Sequence, residues 1–535
     1  MPRVSIDGRE IEVSPGTSIL AAARELGIDI PTLCHLEGCA VQTTCMVCLV
    51  KLQPSGRAVP SCATLVQDGM RIDSETPEVR ALRRTSLELL LSHHLGDCAA
   101  PCESASPAHL DIPLMLRQVA DGRLRDAIAT IRREMALPAT LASISADGGE
   151  KACRRGLIDA PVGINAILRF VAESDLASND PYVPACGQQT GKKVAIVGAG
   201  AAGLTAAYHL LRMGHACTLF EKHSMPGGLL RDALDAACLP HDFLGAEVAI
   251  IARMGAAMVM DTMIGTPQKL DELRARSDAV LVAIGSIADG TADPLGLPSV
   301  RDRLKVDLTT HETGLPGVFA TGEVIRPGKV LARSAADGKA AALCIDQYLS
   351  GRTVSGTERA VNVRMGKLTE TEVSLLVTQV SSSASPEPGG SGRRLTLDEA
   401  RAGARRCLQC DCGKKDGCKL REYADRLGAD PGRYKAERRR LERVVQQGGV
   451  VFEPGKCILC GLCVDIATRV REPLGLTFIG RGFDVRVGVP FDRTLSEALQ
   501  RVAARCAEAC PTGALAIRPE LCGDGTCDRC RSRGG

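Results

Sequence analysis

Lys193-Val-Ala-Ile-Val-Gly-Ala-Gly-Ala-Ala-Gly203 reads as a short apolar strand running straight into a glycine-rich turn and the start of a helix. Gly198, Gly200 and Gly203 give the Gly-x-Gly-x-x-Gly spacing, whose missing side chains let the backbone approach a pyrophosphate. The helix N-terminus then adds N–H donors and the positive end of its dipole. The next strand, Thr218-Leu-Phe-Glu221, ends on a carboxylate suited to ribose hydroxyls. Asp278-Ala-Val-Leu-Val-Ala-Ile-Gly285, Gly317-Val-Phe-Ala-Thr-Gly-Glu323 and Ala335-Ala-Asp-Gly-Lys-Ala-Ala extend the alternation of strands and helices over 193–349. A glycine fingerprint alone is weak, and the later stretches are what strengthen it.

Outward from this core, 535 residues predict about three to four domains of the usual size. With 66 basic and 63 acidic residues the net charge is +3, which gives no reason to expect nucleic acid or an anionic membrane as partner. The segment Met1-Pro-Arg-Val-Ser-Ile-Asp has no apolar signal core, and the most apolar long stretch, 239–260, is broken by His241, Asp242, Glu247 and Arg253. A cytoplasmic protein without membrane insertion is expected. The chain holds 24 cysteines and no tryptophan, and in a reducing compartment grouped cysteines signal metal or redox chemistry rather than a disulfide scaffold.

The cysteines fall into sets. Cys34, Cys45, Cys48 and Cys62 are the first, on a segment that begins with a hairpin signal at Asp7-Gly8 and leaves Cys39 aside. Pro31-Thr-Leu-Cys-His, Cys45-Met-Val-Cys-Leu-Val and Pro60-Ser-Cys-Ala-Thr resemble the N-terminal 2Fe-2S domain of the large iron-sulfur subunit of NADH:quinone oxidoreductase and of iron-only hydrogenases. The resemblance implies a β-grasp domain with one 2Fe-2S cluster on those four thiols.

His94-x3-Cys98-x3-Cys102, Ser106-Pro-Ala-His-Leu-Asp-Ile-Pro and Cys153-Arg-Arg-Gly-Leu-Ile-Asp-Ala-Pro-Val resemble the helical two-cluster domain of the glutamate synthase small subunit and of dihydropyrimidine dehydrogenase. Ser106, Ser145, Gly149 and Leu168 stand where that family has the ligands of one cluster, which implies its loss. The resemblance leaves one 4Fe-4S centre, on His94, Cys98, Cys102 and Cys153, with the alternative that these are three buried thiols and a surface histidine.

The 193–349 region looks like the FAD-binding half of the same family, which implies that Gly198, Gly200, Gly203, Glu221, Gly228, Gly322 and Glu323 surround a flavin dinucleotide. Family members carry a second lobe, for NADPH, between the two late strands, whereas only residues 286–316 lie there in this chain. So short a stretch, without a second glycine fingerprint, predicts a protein that does not take hydride from NAD(P)H unaided.

Near the end, Cys407, Cys410, Cys412 and Cys418 give four thiols for one centre, with zinc a rival to a cluster. Lys456-Cys-Ile-Leu-Cys-Gly-Leu-Cys463 with Cys510-Pro-Thr-Gly resembles a ferredoxin-like domain of the NADH dehydrogenase large subunit, and Ala467 in place of a further cysteine implies one 4Fe-4S cluster, on Cys457, Cys460, Cys463 and Cys510. Cys522, Cys527 and Cys530 read as tail.

The expected organisation is multidomain, α+β and α/β. It runs from a β-grasp 2Fe-2S domain (1–76) through a helical 4Fe-4S domain (77–185), a Rossmann-like FAD domain (186–355) and a linker (356–395) to a ferredoxin-like domain (396–520) and a tail (521–535). The expected function is electron transfer by FAD, one 2Fe-2S cluster and up to three 4Fe-4S clusters, within a larger soluble oxidoreductase of hydrogenase, formate dehydrogenase or NADH dehydrogenase type. Partners would be other redox subunits, ferredoxin or a separate NAD(P)H-binding subunit. The alternatives are an independent NAD(P)H-dependent oxidoreductase that uses such a nucleotide-binding subunit, and a scaffold with a degenerate flavin domain. No catalytic residue is expected on this chain.

Overall fold

In the computed structural model the described residues are 1–144, 148–236, 242–287, 295–300, 303–328, 330–357, 360–377, 394–434, 437–439, 441–446 and 449–518. Ser145, the Ser381–Gly392 linker stretch and Cys522, Cys527 and Cys530 lie outside them. The chain forms two compact units, one built from 1–99, 359–380 and 410–535, the other from 100–358 and 381–409. Residues 77–99 thus group with the N-terminal sheet, and residues 396–409 with the helical and Rossmann-like regions.

The first unit opens with a five-stranded sheet in the order Arg9–Glu12, Arg3–Ile6, Met70–Asp73, Leu49–Gln53, Arg57–Pro60. Only the Arg3–Ile6 and Met70–Asp73 pair is parallel. Asp7, at a positive φ of 49°, and Gly8 make the turn between the first two strands. Alternation puts Val4, Ile6, Val50 and Ile72 inward against Leu20 and Ala23 of the helix Ile19–Glu25, whose first turn is capped by Ser18 Oγ accepting from Ala21 N at 3.2 Å.

The helix Pro77–Ser92, capped by Thr76, then meets the helix Lys419–Leu427, where Arg84 Nε donates to Leu427 O at 2.8 Å. A three-stranded antiparallel sheet of Val444–Val445, Val450–Phe452 and Leu515–Ile517 shares one apolar core with the helices Leu462–Arg469 and Ala503–Ala509.

The second unit carries the helices Ile112–Ala120, Leu124–Glu134, Pro138–Ile144 and Ile164–Leu176, joined by Leu397–Ala404, whose Thr396-x-x-Glu399 start has the capping-box pattern and closes both ways. Beyond them lies a parallel sheet in the order Val318–Ala320, Ala279–Val282, Lys193–Val197, Ala216–Phe220, Ala257–Val259. The central strand Lys193–Val197 is covered on both faces, which is why Val194, Ala195, Ile196 and Val197 are all buried and read as a continuous apolar run. The helix Ala201–Arg212 packs against Leu331–Leu349 so closely that a Cβ on Gly338 would meet Ala202 O at 2.2 Å. Among the described residues, no helix is long and apolar enough to cross a membrane.

Candidate nucleotide and cluster sites

The Rossmann-type crevice lies at the C-terminal ends of the parallel strands. Gly198 has φ 105°, and a Cβ there would sit 2.3 Å from Ala283 O; one on Gly203 would sit 1.9 Å from Gly198 O. Only glycine therefore permits this turn. Glu221 leaves its strand and turns back on the loop, its Oε2 accepting from Ala199 N at 2.8 Å and its Oε1 from His223 N at 3.1 Å. A cavity of about 560 Å³ opens beside it, lined by Gly198, Gly200, Glu221, Gly228, Gly285 and Glu323 among others. Gly203 and Gly322 shape its walls from behind, Gly322 with φ 78° and a Cβ position 2.9 Å from Ala202 Cβ. The cavity and its glycine and carboxylate lining fit the phosphates and ribose of a dinucleotide.

The connection that the sequence marks as short is short in space. Val318–Ala320 pairs directly with Ala279–Val282, in register Val318 to Val280, and the described part of the intervening chain holds just the two-residue strands Ser299–Val300 and Arg303–Leu304.

The first thiol set divides into two hydrogen-bonded pairs. The bond to Cys45 holds Cys34 down to about 5 and pushes Cys45 up; the bond to Cys62 holds Cys48 down to about 6 and pushes Cys62 up. Cys39 stands apart, with burial and a hydrogen bond to the Asp465 carboxylate raising its pKa.

Cys457, Cys460, Cys463 and Cys510 all line one small apolar cavity walled by Phe452, Ile458, Leu462, Val487 and Leu515. Burial raises Cys457 to about 11 and Cys460 to about 12, with the charges of neighbouring thiolates of the same set adding to it. Four convergent sulfurs around an apolar hollow fit a cubane cluster, which takes one donor per iron.

The two remaining predicted sets are divided between the units. His94 and Cys98 belong to the first unit and Cys102 and Cys153 to the second; Cys407 belongs to the second, and Cys410, Cys412 and Cys418 to the first. Within the first unit, Cys412 N donates to Cys98 O at 3.4 Å. Burial first, then the charge of Cys412, raises Cys98, and burial followed by the charges of Cys412 and Cys98 raises Cys418 to about 12. Among the described residues, no three Cys, His, Asp or Glu side chains converge tightly enough to clasp a single metal ion.

The sequence reading overlooked a buried ionic group beside these thiols. Glu453 accepts from Arg443 Nε at 3.1 Å and from Lys456 Nζ at 2.5 Å, with all three side chains almost inaccessible. A lysine immediately before a Cys-x-x-Cys motif was the available signal.

Comparison with known proteins matches residues 2–77 to a 2Fe-2S iron-sulfur cluster binding domain, 94–180 to dihydropyrimidine dehydrogenase domain II with a 4Fe-4S cluster, and 196–248 to an NAD(P)-binding Rossmann-like domain. The chain is 35% identical over 207 residues to an NADP(+)-dependent formate dehydrogenase subunit beta of Moorella thermoacetica, covering 35% of this chain and 29% of that protein. It is 35% identical over 231 residues to the NAD-dependent dihydropyrimidine dehydrogenase subunit PreT of Escherichia coli K12, covering 42% and 54%. It is also 35% identical over 191 residues to an NADPH-Fe(3+) oxidoreductase subunit beta of Geobacter sulfurreducens, covering 35% and 28%. The chain thus spans about half or less of the length of these relatives. It is a multidomain protein that joins iron-sulfur domains to a Rossmann-like fold.

Proposed function

We propose that this protein is a cytoplasmic electron-transfer subunit of a multi-subunit oxidoreductase, holding FAD in the Rossmann-type crevice and iron-sulfur clusters on its thiol sets. The observation that carries the reading is the pairing of a dinucleotide crevice with a four-thiol apolar cavity in one chain. A flavin exchanges two electrons or one, clusters exchange one, and the protein supplies position and electrostatics. The Rossmann-like region is of the glutamate synthase small subunit kind, with Gly198, Gly200 and Gly203 against the pyrophosphate, Glu221 on the ribose, and Gly228, Gly322 and Glu323 nearer the flavin. Cys34, Cys45, Cys48 and Cys62 would hold the 2Fe-2S cluster, and Cys457, Cys460, Cys463 and Cys510 a 4Fe-4S cluster. Partner subunits that are redox proteins fit the subunit names of all three relatives.

A second reading, an NAD(P)H-dependent oxidoreductase, is favoured by the NAD(P)-binding description of residues 196–248. Against it stands the shortness of the connection between the two late strands, since residues 286–316 are too few for a second nucleotide lobe. Anaerobic purification followed by iron, sulfide and flavin quantification separates the two. About fourteen irons per chain, from one 2Fe-2S and three 4Fe-4S centres, with bound FAD and no rapid reduction by NADPH, is the expected result. Absence of flavin, or rapid reduction of the isolated chain by NADPH, would overturn it.

A further inference from the structure

We propose that His94, Cys98, Cys412 and Cys418 form one four-donor 4Fe-4S site wholly inside the first unit, so that the second unit interrupts a single ligand set in the sequence. The proposal deepens the electron-transfer reading and rests on it. It replaces the two sets that resemblance and spacing suggest with sets sorted by the unit in which each residue folds.

Three observations converge on this site. The backbone clamps the 94–98 segment to the 412–418 segment: Cys412 N donates to Cys98 O at 3.4 Å, while Cys98 N is held by Val363 O at 3.2 Å and Asp97 Oδ1 accepts from Met365 N at 2.9 Å. Cys98 and Cys418 share one apolar cluster, and Cys418 Sγ reaches Pro511 O at 3.8 Å. All three thiols are buried.

Second, the buried Nδ1 of His94 has no hydrogen-bond partner among the described residues. A buried imidazole nitrogen left without a partner costs roughly 1–3 kcal/mol, a cost that an iron ligand would remove. Histidine replaces cysteine in some iron-sulfur centres.

Third, the chain is thinned where this site needs space. A Cβ on Gly513 would lie 2.3 Å from Cys412 Sγ and 3.7 Å from Lys456 Cδ, and one on Gly96, between His94 and Cys98, would lie 2.5 Å from Lys456 Cε. The Lys456 stem therefore threads between the two ligand-bearing segments. Its ammonium supplies positive charge beside a group that carries excess negative charge when four irons are bound. A cubane takes one donor per iron, which four side chains supply.

The sorting has a counterpart in the second unit, where Cys407 is tied to the loop after Cys153. Arg406 Nη2 donates to Asp159 Oδ1 at 2.9 Å and to Ala160 O at 2.8 Å, and Asp159 also takes Arg155 Nε and Nη2 at 2.8 and 2.7 Å. Cys407, Cys153 and Cys102 all belong to that unit.

The test is iron content and low-temperature EPR of the full chain, purified anaerobically as wild type and as Cys98→Ala, Cys418→Ala, Cys102→Ala and Cys407→Ala. Cys98→Ala and Cys418→Ala should each lose about four irons and the same EPR signal, and their double variant should lose no more. Cys102→Ala and Cys407→Ala should remove a different signal, and Cys98→Ala with Cys102→Ala should lose about eight irons. His94→Cys, which keeps a donor, should retain the iron and change the spectrum of the Cys98 centre alone. Loss of one common signal in Cys98→Ala and Cys102→Ala, or a His94→Cys spectrum identical to wild type, would overturn the proposal. A wild-type protein free of 4Fe-4S clusters would instead overturn the electron-transfer reading beneath it.

Discussion

Glu453→Gln should unfold the first unit more easily by about 3 kcal/mol at neutral pH, and the difference should shrink in acid. Burial alone would push the Glu453 carboxyl up, but the charges of Lys456, Arg443 and Arg518 overcome it and hold the group at about 2, against 4.5 for an unperturbed glutamate. At about 1.4 kcal/mol per pKa unit the gap corresponds to roughly 3 kcal/mol. That falls at the lower end of the roughly 3–5 kcal/mol measured for breaking a buried ion pair. Glutamine keeps the shape but turns an amide toward two buried cations.

Because the folded pKa is depressed, the stabilisation is complete above about 4.5, the unfolded value, and is lost as pH falls toward about 2. Guanidinium titration of anaerobic protein, followed by far-ultraviolet circular dichroism and cluster absorbance, measures the difference at pH 7 and again between about pH 5 and 3. Equal midpoints at pH 7, or a gap that does not narrow in acid, would refute the reasoning. Glu497→Gln, at a solvent-facing capping box, is the control and should move stability by about 1 kcal/mol or less.

Gly203→Ala, whose Cβ would collide with Gly198 O at 1.9 Å, should lower bound flavin at least about tenfold, read from absorbance against chain concentration. Cys463→Ser should lower iron by about four per chain without touching the 2Fe-2S signal in EPR. Thr396→Ala removes one half of a capping box at the start of the helix that leads to Cys407 and should destabilise the second unit by about 1 kcal/mol in the same guanidinium assay.

The glycine turn, the acidic strand end and the capping box were legible because each depends on a few adjacent residues. The same holds for Cys457, Cys460 and Cys463, which sit on one loop and helix start, with Cys510 brought in by the strand pairing of Val450–Phe452 with Leu515–Ile517. What the sequence hid is the splice. The resemblance to the two-cluster helical domain puts His94, Cys98, Cys102 and Cys153 in one set, and no local pattern reveals that a unit boundary falls at Ala99. The ion group at Glu453 was hidden for a related reason: Arg443 and Lys456 look like ordinary surface charges until a three-stranded sheet folds over them. The positions at which the resemblance implies loss of a second cluster are only partly described. Ser106 and Leu168, two of them, are buried, and Ser145 lies outside the described residues.

The nucleotide in the crevice can be argued from Glu221 alone. Two backbone N–H groups, from Ala199 and His223, hold its carboxylate at the edge of the cavity, so it is not free to swing away from an incoming ribose. A fixed carboxylate accepts from a 2′-hydroxyl and repels a 2′-phosphate. The adenosine half of FAD, like that of NAD, presents the hydroxyl, whereas NADP presents the phosphate. Heat-denatured protein should therefore release FAD, identified by chromatography and mass, and Glu221→Ala should weaken its retention about tenfold, the loss of a charge-assisted hydrogen bond of roughly 1.5–3 kcal/mol being partly replaced by water. Release of NAD would favour the second reading of the protein. Release of NADP would mean that the carboxylate does not face the ribose, and the argument from Glu221 would fail.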